Sequence, residues 1–192
     1  MKKLLFIGSM LFMSSLCAGQ YVGVHGGANH LNVTRGSNQS LKMGYKVGLT
    51  CGYAFDSSWR AELQCSYFAN HYGSSHEAST AGFTFSKQTN KLHTWAYMAN
   101  ILYDIKGLTF SSLYPYLGAG VGYAQNSSVL TVRRDDIVTD YKGRDNRFAY
   151  QLIAGAMMPV NEQYSTALEY NFHSGKAHGK DHSVQMHLIR NF

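Results

Sequence analysis

From Met43 to Phe55 every second residue is large and apolar or a cysteine: Met43, Tyr45, Val47, Leu49, Cys51, Tyr53 and Phe55. Between them stand Gly44, Lys46, Gly48, Thr50, Gly52 and Ala54, all small or polar. A period of two belongs to an extended strand, whose side chains point alternately to opposite faces. After Asp56-Ser57-Ser58 the alternation resumes, with Trp59, Ala61, Leu63, Cys65, Tyr67 and Ala69 set against Arg60, Glu62, Gln64, Ser66, Phe68 and Asn70. That pairing predicts a hairpin with a tight turn. Further strands are predicted at 94–104, 117–124, 148–158, 164–172 and 183–192. The Gly-rich segment Tyr21 to Asn29 makes the first, with Val22, Val24, Gly26 and Ala28 placed outward, for eight strands in all.

The gaps alternate in length. Residues 56–58 and 159–163 are tight turns and 105–113 is intermediate, whereas 30–42, 71–91, 125–147 and 173–182 are long, polar and predicted as loops. Short and long connections therefore fall at opposite ends. Pro115 and Pro159 both lie at the short end, where a missing ladder donor costs least.

Alternating strands also build soluble sandwiches, but there the solvent face is rich in Lys, Glu and Thr. Here the face opposite the apolar one is Gly, Ala, Ser, Asn and Gln, and only 15% of the chain is charged, against roughly 25% for a typical soluble domain. Small residues suit the crowded interior of a narrow barrel. The apolar face carries aromatics at both ends. Phe55, Trp59, Tyr103, Tyr164 and Phe192 lie near the short turns, and Tyr45, Tyr67, Trp95, Tyr123 and Phe148 toward the long loops. Two aromatic girdles around an aliphatic band are what the two interfaces of a bilayer select. The chain is thus predicted to be all-β: an eight-stranded antiparallel up-and-down transmembrane β-barrel with short periplasmic turns and long extracellular loops.

The first residues agree with export. Lys2 and Lys3 precede the apolar run Leu4 to Met13, and Cys17-Ala18-Gly19 offers a small-residue cleavage site. Residues 1–19 are read as a signal peptide that is removed and 20–192 as the barrel domain. A lipoprotein reading of Cys17 is weaker, because Leu16 replaces the small residue expected before an acylated cysteine.

In order along the chain, Tyr21-Val22-Gly23-Val24-His25-Gly26-Gly27, Arg60-Ala61-Glu62-Leu63, Met98-Ala99-Asn100-Ile101-Leu102-Tyr103-Asp104, Pro115 to Tyr123 and the last strand ending in Phe192 resemble the small eight-stranded outer-membrane β-barrels. These are the proteins related to the OmpA transmembrane domain and the opacity-type surface proteins. The resemblance implies location in the bacterial outer membrane, contact with its lipids and lipopolysaccharide, and Phe192 as the signal read by the outer-membrane assembly machinery. It implies a structural, envelope-integrity or adhesive role through the extracellular loops, with a host surface or glycan as ligand.

Interior positions are expected for Lys46, Arg60, Glu62, Asp104 and Glu169, with Gln64, Gln151, Gln185 and His187, and buried charge requires partners. The network reads first as a polar plug that holds the barrel's shape and second as a narrow gated ion channel. A third reading is a lipid A-modifying enzyme with His173 and Ser174 at the rim, but neighbours in a strand point to opposite faces. His173, His178 and His182 lie around the last loop without a zinc spacing. Hence no catalytic residue, cofactor or metal is assigned. Arg133-Arg134-Asp135-Asp136 with Lys142, Arg144 and Arg147 form a mixed-charge hairpin suited to lipopolysaccharide phosphates or acidic glycans. Gly118, Gly120 and Gly122 run along one strand face with no helix to follow, so they form no phosphate cradle. The basic excess is small and scattered, and no nucleic-acid partner is expected. Cys51 and Cys65 share the outward phase on neighbouring strands and are considered for a disulfide.

Overall fold

The computed structural model describes residues 19–33, 43–55, 58–74, 79–80, 83–84, 88–107, 112–134, 137–176 and 179–192. The signal-peptide segment and His178 lie outside them. The strands are β1 (Gln20–Val33), β2 (Met43–Ala54), β3 (Trp59–Ser74), β4 (Ser79–Thr80), β5 (Phe83–Thr84), β6 (Gln88–Asp104), β7 (Tyr114–Arg134), β8 (Ile137–Pro159), β9 (Tyr164–Lys176) and β10 (Gly179–Asn191). Eight of them close into one antiparallel barrel in the order β1-β10-β9-β8-β7-β6-β3-β2. The short β4–β5 hairpin stands apart, within the β3–β6 connection.

Closure follows from the seam between first and last strands, which runs from Tyr21 opposite Asn191 to Val33 opposite Gly179. A closed ladder pairs every strand on both sides and leaves no edge, the condition for strands to cross hydrocarbon. The alternation has the expected phase along the membrane-crossing strands, with Ala69 of the outward set buried. In β2, Lys46 and Thr50 are buried and Met43, Tyr45, Val47 and Leu49 exposed. In β1, Val22, Val24 and Ala28 face outward and Tyr21, His25 and Asn29 inward. Within the aromatic girdles rings touch across strands: Tyr45 meets Tyr67 at 6.4 Å and Tyr67 meets Trp95 at 5.0 Å at one end. At the other, Trp59 and Tyr103 lie 4.9 Å apart. Arg190, the charge on the outer face of β10, stacks its guanidinium over Phe192 at 5.0 Å, at the girdle rather than in the band.

Leu63 stands midway between Trp59 and Tyr67 on β3, at the middle of the apolar band. Leu63→Arg is expected to destabilise the inserted barrel by about 2–4 kcal/mol, read by urea unfolding in lipid vesicles. A change below about 1 kcal/mol would contradict a lipid-facing position at that depth.

Asn161 sets the turn between β8 and β9: its Oδ1 accepts from the backbone N–H groups of Gln163 (2.9 Å) and Tyr164 (2.8 Å), the local bonding that makes Asn a turn former. The long connections differ from expectation. Residues 125–134 and 137–147 continue the β7–β8 ladder, and 173–176 and 179–182 extend β9 and β10. Outside the bilayer a ladder needs only its backbone bonds, so polar residues there gave no apolar alternation to read.

Candidate functional site

The interior is filled by side chains that meet across the barrel. At the short-turn end, Arg60 donates from Nε (3.1 Å) and Nη2 (2.7 Å) to Asp104 Oδ1. Its guanidinium lies 4.6 Å from the Tyr116 ring and 6.0 Å from the Tyr21 ring. Next along the axis, Glu62 accepts from Tyr21 O–H (3.3 Å) and from Asn100 Nδ2 (3.1 Å). Asn100 Oδ1 in turn accepts from Gln151 Nε2 at 2.6 Å, and the same Nε2 reaches Gln64 Oε1 at 2.8 Å. This chain of bonds runs from β1 through β3 and β6 to β8; Glu62 and Asn100 are register partners across the β3–β6 ladder, while the other two steps cross the barrel interior between strands that do not pair.

Glu169 centres the other half. It accepts from Tyr116 O–H (2.9 Å), Gln185 Nε2 (2.5 Å) and Asn171 Nδ2 (2.5 Å), with His187 Nε2 at 3.4 Å. The His187 ring stacks on His25 at 5.0 Å, and His25 Nε2 lies 3.0 Å from Ser66 Oγ. Nearer the long hairpins, Asn29 Nδ2 donates to Asp181 Oδ2 (2.8 Å) and Asn70 Oδ1 (3.0 Å). There Lys46 Nζ sits 5.2 Å from the Phe68 ring centre, and His173 packs on the same ring at 5.3 Å.

Arg60, Glu62, Glu169 and Lys46 are therefore buried, and Asp104 is partly so, but they do not form one ion-pair network. Arg60 takes Asp104, one diagonal step away across the β3–β6 ladder, because Leu102 is its register partner. The two glutamates are served mainly by neutral donors. The interior is also less polar than the phase alone suggested: Phe68, Ala96, Met98, Ala124 and Ala149 form one apolar cluster, and Leu102, Tyr116, Ile153 and Ala167 another. Tyr21, Tyr116, His25, Asn100, Asn171 and Asp181 join the interior as well. The inward parity of Tyr21, His25, Asn100 and Asn171 was readable along their strands, whereas Asp181 fell in a segment read as loop and Tyr116 just before a predicted strand; nothing local announced any of their partners.

Cys51 and Cys65 are both free. Cys51 faces Leu63 and Cys65 faces Leu49, so the two are diagonal neighbours at about 7–8 Å, beyond the Cα separation a disulfide spans. The disulfide considered from the sequence is thus corrected by a two-residue offset in register. Ser174 lies on the face opposite His173, while the buried His173 stands across from Asp181. His182 points outward to Tyr170, its Nδ1 2.6 Å from the Tyr170 hydroxyl, so His173 and His182 share no face. Among the described residues no three His, Cys, Asp or Glu side chains gather to hold a metal ion.

A second candidate surface lies beyond the barrel wall. The β7–β8 ladder continues without a register shift from Tyr123 opposite Phe148 to Arg134 opposite Ile137, about 35 Å of extended chain beyond the aromatic row. Lys142, Arg144 and Arg147 are exposed on it, and Arg147 pairs with Asp145. Asp135 and Asp136 lie outside the described residues.

Residues 4–192 match the outer membrane protein beta-barrel domain family. An uncharacterized protein of Brucella abortus (strain 2308) is 30% identical over 162 residues, covering 74% of this chain and 56% of that protein. The corresponding protein of Brucella suis biovar 1 matches equally. The chain thus spans little more than half the length of these curated relatives. Among solved structures, the neisserial surface protein A has a TM-score of 0.58 at 15% identity, covering 91% of this chain and 98% of that one. The attachment invasion locus protein Ail of Yersinia pestis, in complex with the heparin analogue sucrose octasulfate, has a TM-score of 0.55 at 12% identity, covering 92% and 100%. OprG of Pseudomonas aeruginosa has a TM-score of 0.51 at 17% identity, covering 90% and 94%. At these identities the likeness to the solved structures is one of fold.

Proposed function

Because this chain belongs to the outer membrane protein β-barrel family and resides in the bacterial outer membrane, we propose that it is a non-catalytic surface protein, residues 20–192 forming its barrel domain after removal of 1–19. The barrel is an anchor with a plugged lumen, and its long hairpins bind acidic ligands outside the cell. The projection of β7–β8 carries this reading. A tilted strand crosses the hydrocarbon in about 9–11 residues, whereas β7 has 21 and β8 has 23. The surplus offers both faces of a ribbon to the exterior, with Arg133 and Arg134 at its far end. Ail, a neighbour in fold, carries a heparin analogue, and Lys142, Arg144 and Arg147 on the hairpin, with Arg133 and Arg134 at its end, offer cationic groups to ligands of that charge. The interlocked buried side chains favour the plug over an ion path, since eight strands leave an interior that side chains can fill. In this reading Phe192 is the residue the assembly machinery reads.

Replacing residues 131–140 by Asn-Gly retains a two-residue hairpin turn between Leu130 and Tyr141, which already face each other. The shortened protein is expected to insert normally, seen as the usual heat-modifiable mobility; because the replaced segment carries two arginines against three aspartates, binding is tested with R133Q/R134Q, which should lose at least about tenfold on heparin-coated surfaces at low salt, where surface electrostatics are strongest. Undiminished binding would dismiss the hairpin as the adhesive element.

A further inference from the structure

Lys91 on β6 stands opposite Val129 on β7, and Val129 opposite Lys142 on β8. Directly opposed residues share a face, so the two lysines flank Val129 on one side of the sheet, about 10 Å apart. The next row toward the barrel is His93, Ser127 and Arg144, about 7 Å nearer the rim. Parity puts both rows on the outward face, the one that carries Trp95, Tyr97, Tyr123 and Phe148 farther down. His93 is engaged by Tyr67, whose hydroxyl lies 2.6 Å from its Nδ1. Lys91, Lys142 and Arg144 are exposed, and among the described residues none of them pairs with a carboxylate.

The nearby acid is directed elsewhere. Asp145 has the opposite parity and is held by Arg147. From the Trp95–Gln125–Asn146 row up to Lys142 the outward face of β6, β7 and β8 carries no carboxylate. Below the three cations lies an apolar platform: Phe148, 70% exposed, beside Tyr123 and Tyr97. Aromatic rows of this kind lie at headgroup level. Arg144 stands two rows above this platform and Lys91 and Lys142 three, on tilted strands that aim them sideways into the headgroup and inner-sugar layer, not up into the medium.

We infer that Lys91, Lys142 and Arg144 form a clasp on the outer wall of the barrel for the phosphorylated sugars of a lipopolysaccharide molecule, whose acyl chains lie on the Tyr97–Tyr123–Phe148 platform. Two lysines bind phosphate as point charges and the arginine as a two-pronged donor. The shape matches a glycolipid, with anionic groups above and hydrocarbon below, and a soluble polysaccharide has no use for the platform. The clasp requires the membrane placement of the family and is independent of the hairpin tip, because the 131–140 replacement leaves all three cations in place.

The test is lipopolysaccharide retention by the full protein, purified in detergent after incubation with lipopolysaccharide bearing its phosphates or with the same lipid freed of them. Wild type and the control Lys106→Glu, at the periplasmic turn, should retain the phosphorylated lipid. K91E/K142E/R144E should retain at least tenfold less, and phosphate-free lipid should be held no better by wild type than by the variant. Equal retention by the variant, or equal retention of the phosphate-free lipid, overturns the clasp. Loss of heparin binding with lipopolysaccharide retention intact also overturns it, assigning the cations to a soluble glycan instead. If the charge reversals fail to give the heat-modifiable folded band, K91Q/K142Q/R144Q carries the same comparison.

Discussion

Glu169→Leu should cost the folded barrel about 3–5 kcal/mol, the usual effect of removing one side of a buried charged interaction. The magnitude comes from what remains. Tyr116 O–H, Gln185 Nε2 and Asn171 Nδ2 all lose their acceptor, and His187 loses the carboxylate 3.4 Å from its Nε2. Each buried donor left unmatched carries a desolvation penalty of about 1–3 kcal/mol, which water entering the space would only partly relieve. Glu169→Gln keeps an acceptor oxygen and the same volume, so it should cost clearly less than the leucine variant. Urea unfolding in vesicles, followed by Trp59 and Trp95 fluorescence, measures both. A leucine variant within about 1 kcal/mol of wild type would show that Glu169 does not organise the interior.

Gly27→Val should prevent the barrel from closing. A Cβ on Gly27 would lie 2.0 Å from the Val184 carbonyl oxygen and 2.5 Å from the Gln185 Cα. Both are backbone atoms of β10, so no rotamer change relieves the contact, and the first and last strands must move apart. Overpacking in rigid surroundings costs about 1–3 kcal/mol, occasionally more, and at the closing seam the displaced ladder bonds add to it. The expected result is loss of the heat-modifiable folded band on refolding. Ala28→Val, one residue along on the outward face, should fold normally because lipid yields where backbone does not. Efficient folding of Gly27→Val would show that the seam between β1 and β10 can open enough to admit a side chain.

These two residues illustrate how much was legible. Glu169 was placed inside by the parity of Tyr164, Leu168 and Tyr170, and Gly27 by that of Val22, Val24 and Ala28. Neither strand indicates what lies opposite. Glu169 meets Tyr116, 53 residues away, and Gln151 meets Gln64, 87 residues away. The pairing of Arg60 with Asp104 instead of with a glutamate, and the offset that keeps Cys51 from Cys65, are equally consequences of register. The upper halves of β7 and β8 were missed for another reason. Their polar residues carry strand geometry without the apolar alternation that only a bilayer imposes.

The eight strands, the faces of their membrane-crossing parts, the two aromatic girdles and the location of the short turns were set by the sequence alone, because a period of two is a property of each strand by itself and the bilayer selects its outward half. Which interior groups share a proton or a charge, how far the β7–β8 ribbon stands above the membrane, and the meeting of Lys91 with Lys142 across β7 were decided by the closed sheet. Those contacts depend on the relative slide of neighbouring strands, which the register of each ladder sets and the closure of β1 on β10 completes.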